Sequence, residues 1–166
     1  MSDLAVPEAR TDTQRIARIE LAETAPLQSP YAEADRQQAA TDLLAGNAFS
    51  PVGLPSGPYV LHLAVREGRL VLDIRDLADA PLHAHLLALG PFRRLIKDYQ
   101  MVVDSHEQAV TEGASEARIQ AIDMGRRGLH NEAAELLQER LNGRVELDFE
   151  TARRLFTLVC ALHQRI

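Results

Sequence analysis

The chain holds one cysteine, Cys160, one lysine, Lys97, and no tryptophan. A single thiol excludes an internal disulfide framework. Aromatic residues make up 4% of the chain, too few and too scattered for a base-stacking platform. No apolar run approaches the roughly 18 residues that suggest a membrane span. Residues 1–8 lack a basic stretch followed by an apolar one, so no secretory signal is expected there. A cytoplasmic protein is the plain expectation. Gly-x-Ser-x-Gly, His-Glu-x-x-His and Cys-x-x-Cys are also missing, and with them the chemistry those spacings carry. With no Walker-type lysine and no dinucleotide-binding glycine spacing, no cofactor is expected.

What is present suits an ordinary globular protein: 166 residues, 46% hydrophobic and 25% charged. A chain of this length buries roughly 70% of its unfolded surface, enough for a core without staples. Basic residues number 18 against 24 acidic ones, and the net charge of −6 disfavours tight non-specific binding to nucleic acid. All the cations except Lys97 are arginine. Arginine offers a planar fork for carboxylate or phosphate, although GC-rich codon usage gives the same bias.

Residues 1–14 show no apolar period and read as a disordered tail, leaving 15–166 as a single α+β domain. Ala17, Ile19 and Leu21 alternate with Arg18 and Glu20, as in a strand. Ser29 can cap a helix with Pro30 at its first position, running to about Ala45. A Pro- and Gly-rich loop follows. Tyr59, Leu61, Leu63 and Val65 then alternate, as do Leu70, Leu72 and Ile74, across a short loop containing Gly68. Leu82 to Leu89 reads as a third strand of that group. The rest is helical: one helix after Pro91, one after Ser115, one resuming at Leu129 and one capped by Asp148. Gly125-Arg126-Arg127-Gly128 is read as an interruption between helices. The expected architecture is a small antiparallel sheet in β-α-β-β-β order, followed by a helical C-terminal half.

Four strings carry a resemblance. They are Gly57-Pro58-Tyr59 with Leu61-His62-Leu63; Pro91-Phe92-Arg93-Arg94 with Lys97-Asp98-Tyr99; Ala121 through Glu132; and Asp148-Phe149 with Thr151 through Cys160. Over roughly residues 45–166 the chain resembles an uncharacterised family of small alphaproteobacterial proteins, numbered 0262. That resemblance implies no activity, substrate or catalytic residue.

Gly125-Arg126-Arg127-Gly128-Leu129-His130-Asn131-Glu132 is the main candidate site. Two arginine forks, a titratable histidine and the expected start of a helix at His130 or Asn131 would make an oxyanion cradle. The structural alternative is a solvated turn whose arginines pair with Asp123, Glu132 or Glu135. Arg93, Lys97 and Arg153 stand near other helix starts, where cations oppose the helix dipole and need a carboxylate or an external anion. These seven residues (Arg126, Arg127, His130, Asn131, Arg93, Lys97 and Arg153) form the candidate ligand-binding set. His83-Ala84-His85 could place two imidazoles on one face of a strand, with His62 nearby. Metal sites need three or more convergent ligands, and no metal is expected. Cys160 sits on an apolar stripe and reads as an inert buried thiol.

Three functions fit these features. The favoured one is a non-catalytic binding or regulatory domain recognising a protein partner or a small anion through the Arg/His surface. A small enzyme acting on a phosphate- or carboxylate-bearing substrate is the second, with His130 as acid or base. The third is an RNA- or ribosome-associated factor using the same arginines.

Overall fold

The computed structural model describes residues 13–22 and 29–163. Strand β1 (Ile16–Leu21) precedes helix α1 (Pro30–Ala45), and β2 (Phe49–Pro51), β3 (Tyr59–Arg66), β4 (Arg69–Arg75) and β5 (Pro81–Ala88) follow. One 3-10 turn, Gly90–Phe92, leads into α2 (Arg93–Thr111), α3 (Glu116–Leu141), β6 (Val145–Leu147) and α4 (Phe149–Leu162). The class is α+β, with a helical C-terminal half. The expected tail at residues 1–14 lies outside the described residues except for positions 13 and 14. There the Gln14 carbonyl accepts the Phe49 N–H at 2.9 Å.

The main sheet has four strands in the order β1-β3-β4-β5, and β2 pairs with β6 in a separate ladder. β3, β4 and β5 form the expected antiparallel group. β1 instead pairs with β3 in parallel, so the sheet is mixed rather than antiparallel throughout. The physical reason is the crossover: α1 returns the chain to the end where β1 began, and the next strand runs the same way. Between β3 and β4 the turn residues Glu67 and Gly68 have φ of 54° and 75°. That left-handed pair matches the twist of a tight hairpin.

Period-two alternation buries one face of this sheet. Leu61 opposes Ile74 and Leu63 opposes Leu72, and all four are buried together with Tyr59 and Leu70. Helix α4 packs on that face through Leu155, Phe156, Leu158 and Val159. It starts where the Asp148 side chain accepts the Thr151 N–H at 3.0 Å. The Thr151 hydroxyl oxygen accepts the Ala48 N–H at 3.0 Å, tying the end of α1 to the start of α4. Asn47 makes a second tie. Its Oδ1 accepts the Ile16 N–H at 2.7 Å, and its amide donates to the Ile16 carbonyl at 2.9 Å.

Helix α3 departs from expectation. It runs unbroken from Glu116 to Leu141, so Gly125-Arg126-Arg127-Gly128 lies in its interior. Two interior glycines cost a helix about 2 kcal/mol relative to alanine, and docking on both sides outweighs that. Ala133, Ala134, Leu137 and Leu141 are buried beyond the glycines, and the helix packs along α2 and α4. Ser115 caps it as expected, accepting the Arg118 N–H at 3.2 Å. Among the described residues no helix is long and apolar enough to cross a membrane.

Candidate functional site

Because α3 is continuous, Arg126 and His130 stand one turn apart on the same face. That face meets α1 and α4, and together they enclose a recess of about 180 Å³. Its walls include Asp35 and Asp42 from α1, Arg126 and His130 from α3, and Arg153, Arg154 and Thr157 from α4. Tyr99 of α2 contacts two of these wall residues, Asp35 and His130.

Asp35 is the hub. Its Oδ2 accepts the Tyr99 hydroxyl at 2.7 Å, and its Oδ1 accepts from Arg126 Nη1 at 3.3 Å. Arg126 Nε also donates to Asp123 Oδ1 at 2.9 Å, so two carboxylates hold one guanidinium. His130 is 2% exposed, and its Nδ1 lies 2.7 Å from the Arg126 carbonyl. A carbonyl only accepts, so Nδ1 carries the proton and Nε2 presents its lone pair to the recess. Nε2 is 3.8 Å from Asp35 Oδ2, beyond hydrogen-bond reach. The ring is fixed edge-to-face against Tyr99 and Phe156, with centroids 5.4 and 5.8 Å away.

Two polar atoms on these walls are buried with no hydrogen-bond partner among the described residues: His130 Nε2 and Arg153 Nε. The neighbouring carboxylate is already divided, since Glu150 Oε1 serves Arg153 at 2.9 Å and Arg154 at 3.7 Å. Burial holds the His130 ring below its ordinary value of 6.5, more strongly than the Arg126 carbonyl and Asp35 raise it. The imidazole is therefore neutral at neutral pH. Burial also drives the Tyr99 phenol upward, with Asp35 adding to the effect, so it stays a donor. Tyr31 stacks on His106 with ring centroids 3.8 Å apart, and burial pushes its phenol up to about 12. For Arg126, burial is outweighed by Asp123 and Asp35, and the guanidinium stays charged. Cys160 is buried, and burial raises its thiol well above the ordinary range, as an inert thiol requires.

Of the seven candidate residues, the recess brings together Arg126, His130 and Arg153. Arg127 points away, 64% exposed and paired with Asp123 at 3.2 Å. Asn131, Arg93 and Lys97 are exposed and do not line the recess. No helix begins at His130, which removes the expected N-terminal N–H groups from the site. His130, read in the sequence as near the start of a helix, is instead a core residue in the interior of α3.

Asp35, Tyr99 and Thr157 were not singled out by sequence as site residues, whereas Asp123, named there as an arginine partner, pairs with both Arg126 and Arg127. A signal existed for two of the three. Asp35 precedes the buried Ala39 and Leu43 at four-residue steps along α1, so a carboxylate lies on an apolar stripe. Tyr99 shares its stripe with Leu95, Ile96 and Val103. A charge or hydroxyl on a buried stripe demands a partner.

The strand histidines do not converge. His83 and His85 lie on the core-side face of β5, with ring centroids 4.5 Å apart. His62 opposes Asp73, which opposes Ala84, so it is on the other face. There it binds Asp79 Oδ1 at 2.8 Å, and Asp79 Oδ2 accepts from Arg75 at 3.1 Å. Among the described residues no group of three or more His, Cys, Asp or Glu could hold a metal ion.

No solved structure matches the chain. A UPF0262 protein from Granulibacter bethesdensis is 63% identical over 147 residues, covering 83% of this chain and 82% of the relative. One from Acidiphilium cryptum is 62% identical over 137 residues, covering 82% of this chain and 84% of that protein. One from Rhizobium meliloti is 47% identical over 151 residues, 91% of this chain and 95% of the relative. The matching family model spans residues 13–165, further toward the N-terminus than the four strings reach, and the chain belongs to the uncharacterised protein family UPF0262.

Proposed function

We propose that this chain is a binding domain whose recess between α1, α3 and α4 takes a small oxyanion that also carries a hydroxyl. The observation behind this reading is the pair of buried, unpartnered nitrogens on residues that line the recess, His130 Nε2 from α3 and Arg153 Nε from α4. Their requirements are opposite. Neutral Nε2 needs a donor, and Arg153 Nε–H needs an acceptor. Leaving either unmet costs about 1–3 kcal/mol. A monohydrogen phosphate, or a hydroxycarboxylate of similar size, offers both groups on one molecule. Arg154, sharing Glu150 with Arg153, supplies a second fork to the lining of the recess. Asp35 sets the selectivity: a fully deprotonated anion would face its carboxylate, whereas a hydroxyl can donate to it or to Nε2.

The test is thermal melting at pH 7.5 with phosphate or sulfate at equal ionic strength. Phosphate retains a hydroxyl at that pH and sulfate does not. A ligand at 100 times its dissociation constant stabilises the native state by about 2.7 kcal/mol. The expected result is a rise in melting temperature with phosphate, a smaller one with sulfate, and loss of the difference in Arg153→Gln. Equal shifts for both anions, or an unchanged response in Arg153→Gln, would discard the reading. Turnover of a phosphate- or carboxylate-bearing substrate that vanished in His130→Asn would favour general-base chemistry at Nε2 instead.

A further inference from the structure

The two edges of the main sheet are treated differently. β1 carries Arg18 and Glu20, each about half exposed, and Asn47 occupies both backbone groups of Ile16. Charges and a side-chain clasp are the usual protection of an edge. β5 has neither. From Ala80 through Phe92 the chain has no charged side chain, although a quarter of all its residues are charged.

Which backbone groups face outward follows from the ladder. Arg66 and Arg69 flank the two-residue turn and pair directly, so Leu70, Leu72 and Ile74 turn their N–H and C=O groups toward β5. Their partners are Leu87, His85 and His83. Leu82, Ala84, Leu86 and Ala88 must then direct theirs away from the sheet. An independent contact agrees: the Leu86 carbonyl accepts from Arg144 Nη1 at 3.1 Å from outside the ladder. No other partner of these outward groups is found among the described residues. Alongside them Ala84 and Ala88 are exposed, and Leu86 is 50% exposed.

We propose that β5 pairs antiparallel with β5 of a second copy, about a two-fold axis at Ala84, joining two sheets into one. Three features favour a second copy over another strand. An antiparallel pairing of a strand with itself is isologous, so each outward N–H meets an outward C=O without further adjustment. With the axis at Ala84, Leu82 lies opposite Leu86 of the second copy, and no like charges meet along the strand. The same register sets His85 opposite His83 of the second copy. His85 Nε2 is buried and without a partner among the described residues, and that imidazole can supply one. The Leu86 carbonyl retains a second lone pair, so Arg144 can stay in place.

Sedimentation equilibrium over a wide concentration range tests the proposal on the full chain. The expected result is a weight-average mass that climbs from 18.4 kDa toward twice that value, with little effect of salt. Ala84→Pro removes one outward N–H but no bond to β4, as proline does on an edge strand. Leu86→Lys places a charge on the same edge and does not depend on proline geometry. Each variant should stay at the monomer mass and melt cooperatively. A wild-type chain that remains monomeric throughout would overturn the proposal. So would folded variants that dimerise like wild type, because the contact would then lie elsewhere.

Discussion

The Tyr99 hydroxyl donates to the Asp35 carboxylate at 2.7 Å, joining residues 64 positions apart in the chain. Asp35 also holds Arg126 at 3.3 Å, with side chains only 15% and 19% exposed. Removing one side of such a pair leaves the other charge buried and uncompensated. Asp35→Ala should therefore cost about 3 kcal/mol, the lower end for a buried pair because Asp123 still holds Arg126. Urea denaturation measures it directly. Asp35→Ala combined with Arg126→Leu should cost less than the sum of the two single changes, since the pair acts as a unit.

Stability should depend on pH through His130. Burial holds its folded-state value below the ordinary 6.5, so the unfolded chain binds the proton first. Stability is then complete above about pH 6.5 and falls as pH drops toward the folded-state value, where the loss levels off. Burial and His83 lower His85 as well, so it adds a decline of the same sign. The expected outcome is a melting temperature that decreases from pH 7 to pH 5 in wild type, and less steeply in His130→Asn. An identical slope in that variant would show that the proton is taken up elsewhere.

The local structure was readable because its causes are local. Ser29, Ser115 and Asp148 each cap a helix through side chains three residues from the N–H they bind. The alternation from Tyr59 to Ile74 places a whole sheet face. Parallel pairing of β1 was not readable, since it depends on where α1 returns the chain. The site was half legible for the same reason. Arg126 and His130 are neighbours in sequence, but whether they face water or Asp35 is decided by packing of α1 against α4. A glycine pair beside two arginines reads as a turn, and only the docking of α3 shows it is helix.

Phe156 is 1% exposed, stacks toward Phe92 and forms one wall of the His130 ring's enclosure. Phe156→Ala should cost roughly 3–5 kcal/mol through lost burial and the cavity left behind. For a chain of this size that corresponds to a fall of about 10 °C in melting temperature. Phe156→Leu keeps most of the volume and should lose far less. A melting temperature unchanged in Phe156→Ala would mean α4 is not packed as described.

Gly125 and Gly128 give the sharpest test of a continuous α3. A β-carbon built on either one meets no heavy atom within 4 Å, so alanine fits without displacing a neighbour. Alanine exceeds glycine in helix interiors by roughly 0.8–1 kcal/mol, chiefly because glycine loses more backbone freedom on folding. Gly125→Ala and Gly128→Ala should therefore each raise the melting temperature by about 2–4 °C, and the pair should raise it nearly additively. If the chain instead turned at these glycines with positive φ, the same changes would destabilise it, because alanine is strained there. The sign of the shift decides between one helix and two. Gly125 also lines an exposed apolar groove with Met101, Val102, Ile122 and Leu129. An added methyl there should leave the recess, whose walls do not include Gly125, unaffected. The phosphate response of the double variant should match wild type, which separates helix stability from ligand binding.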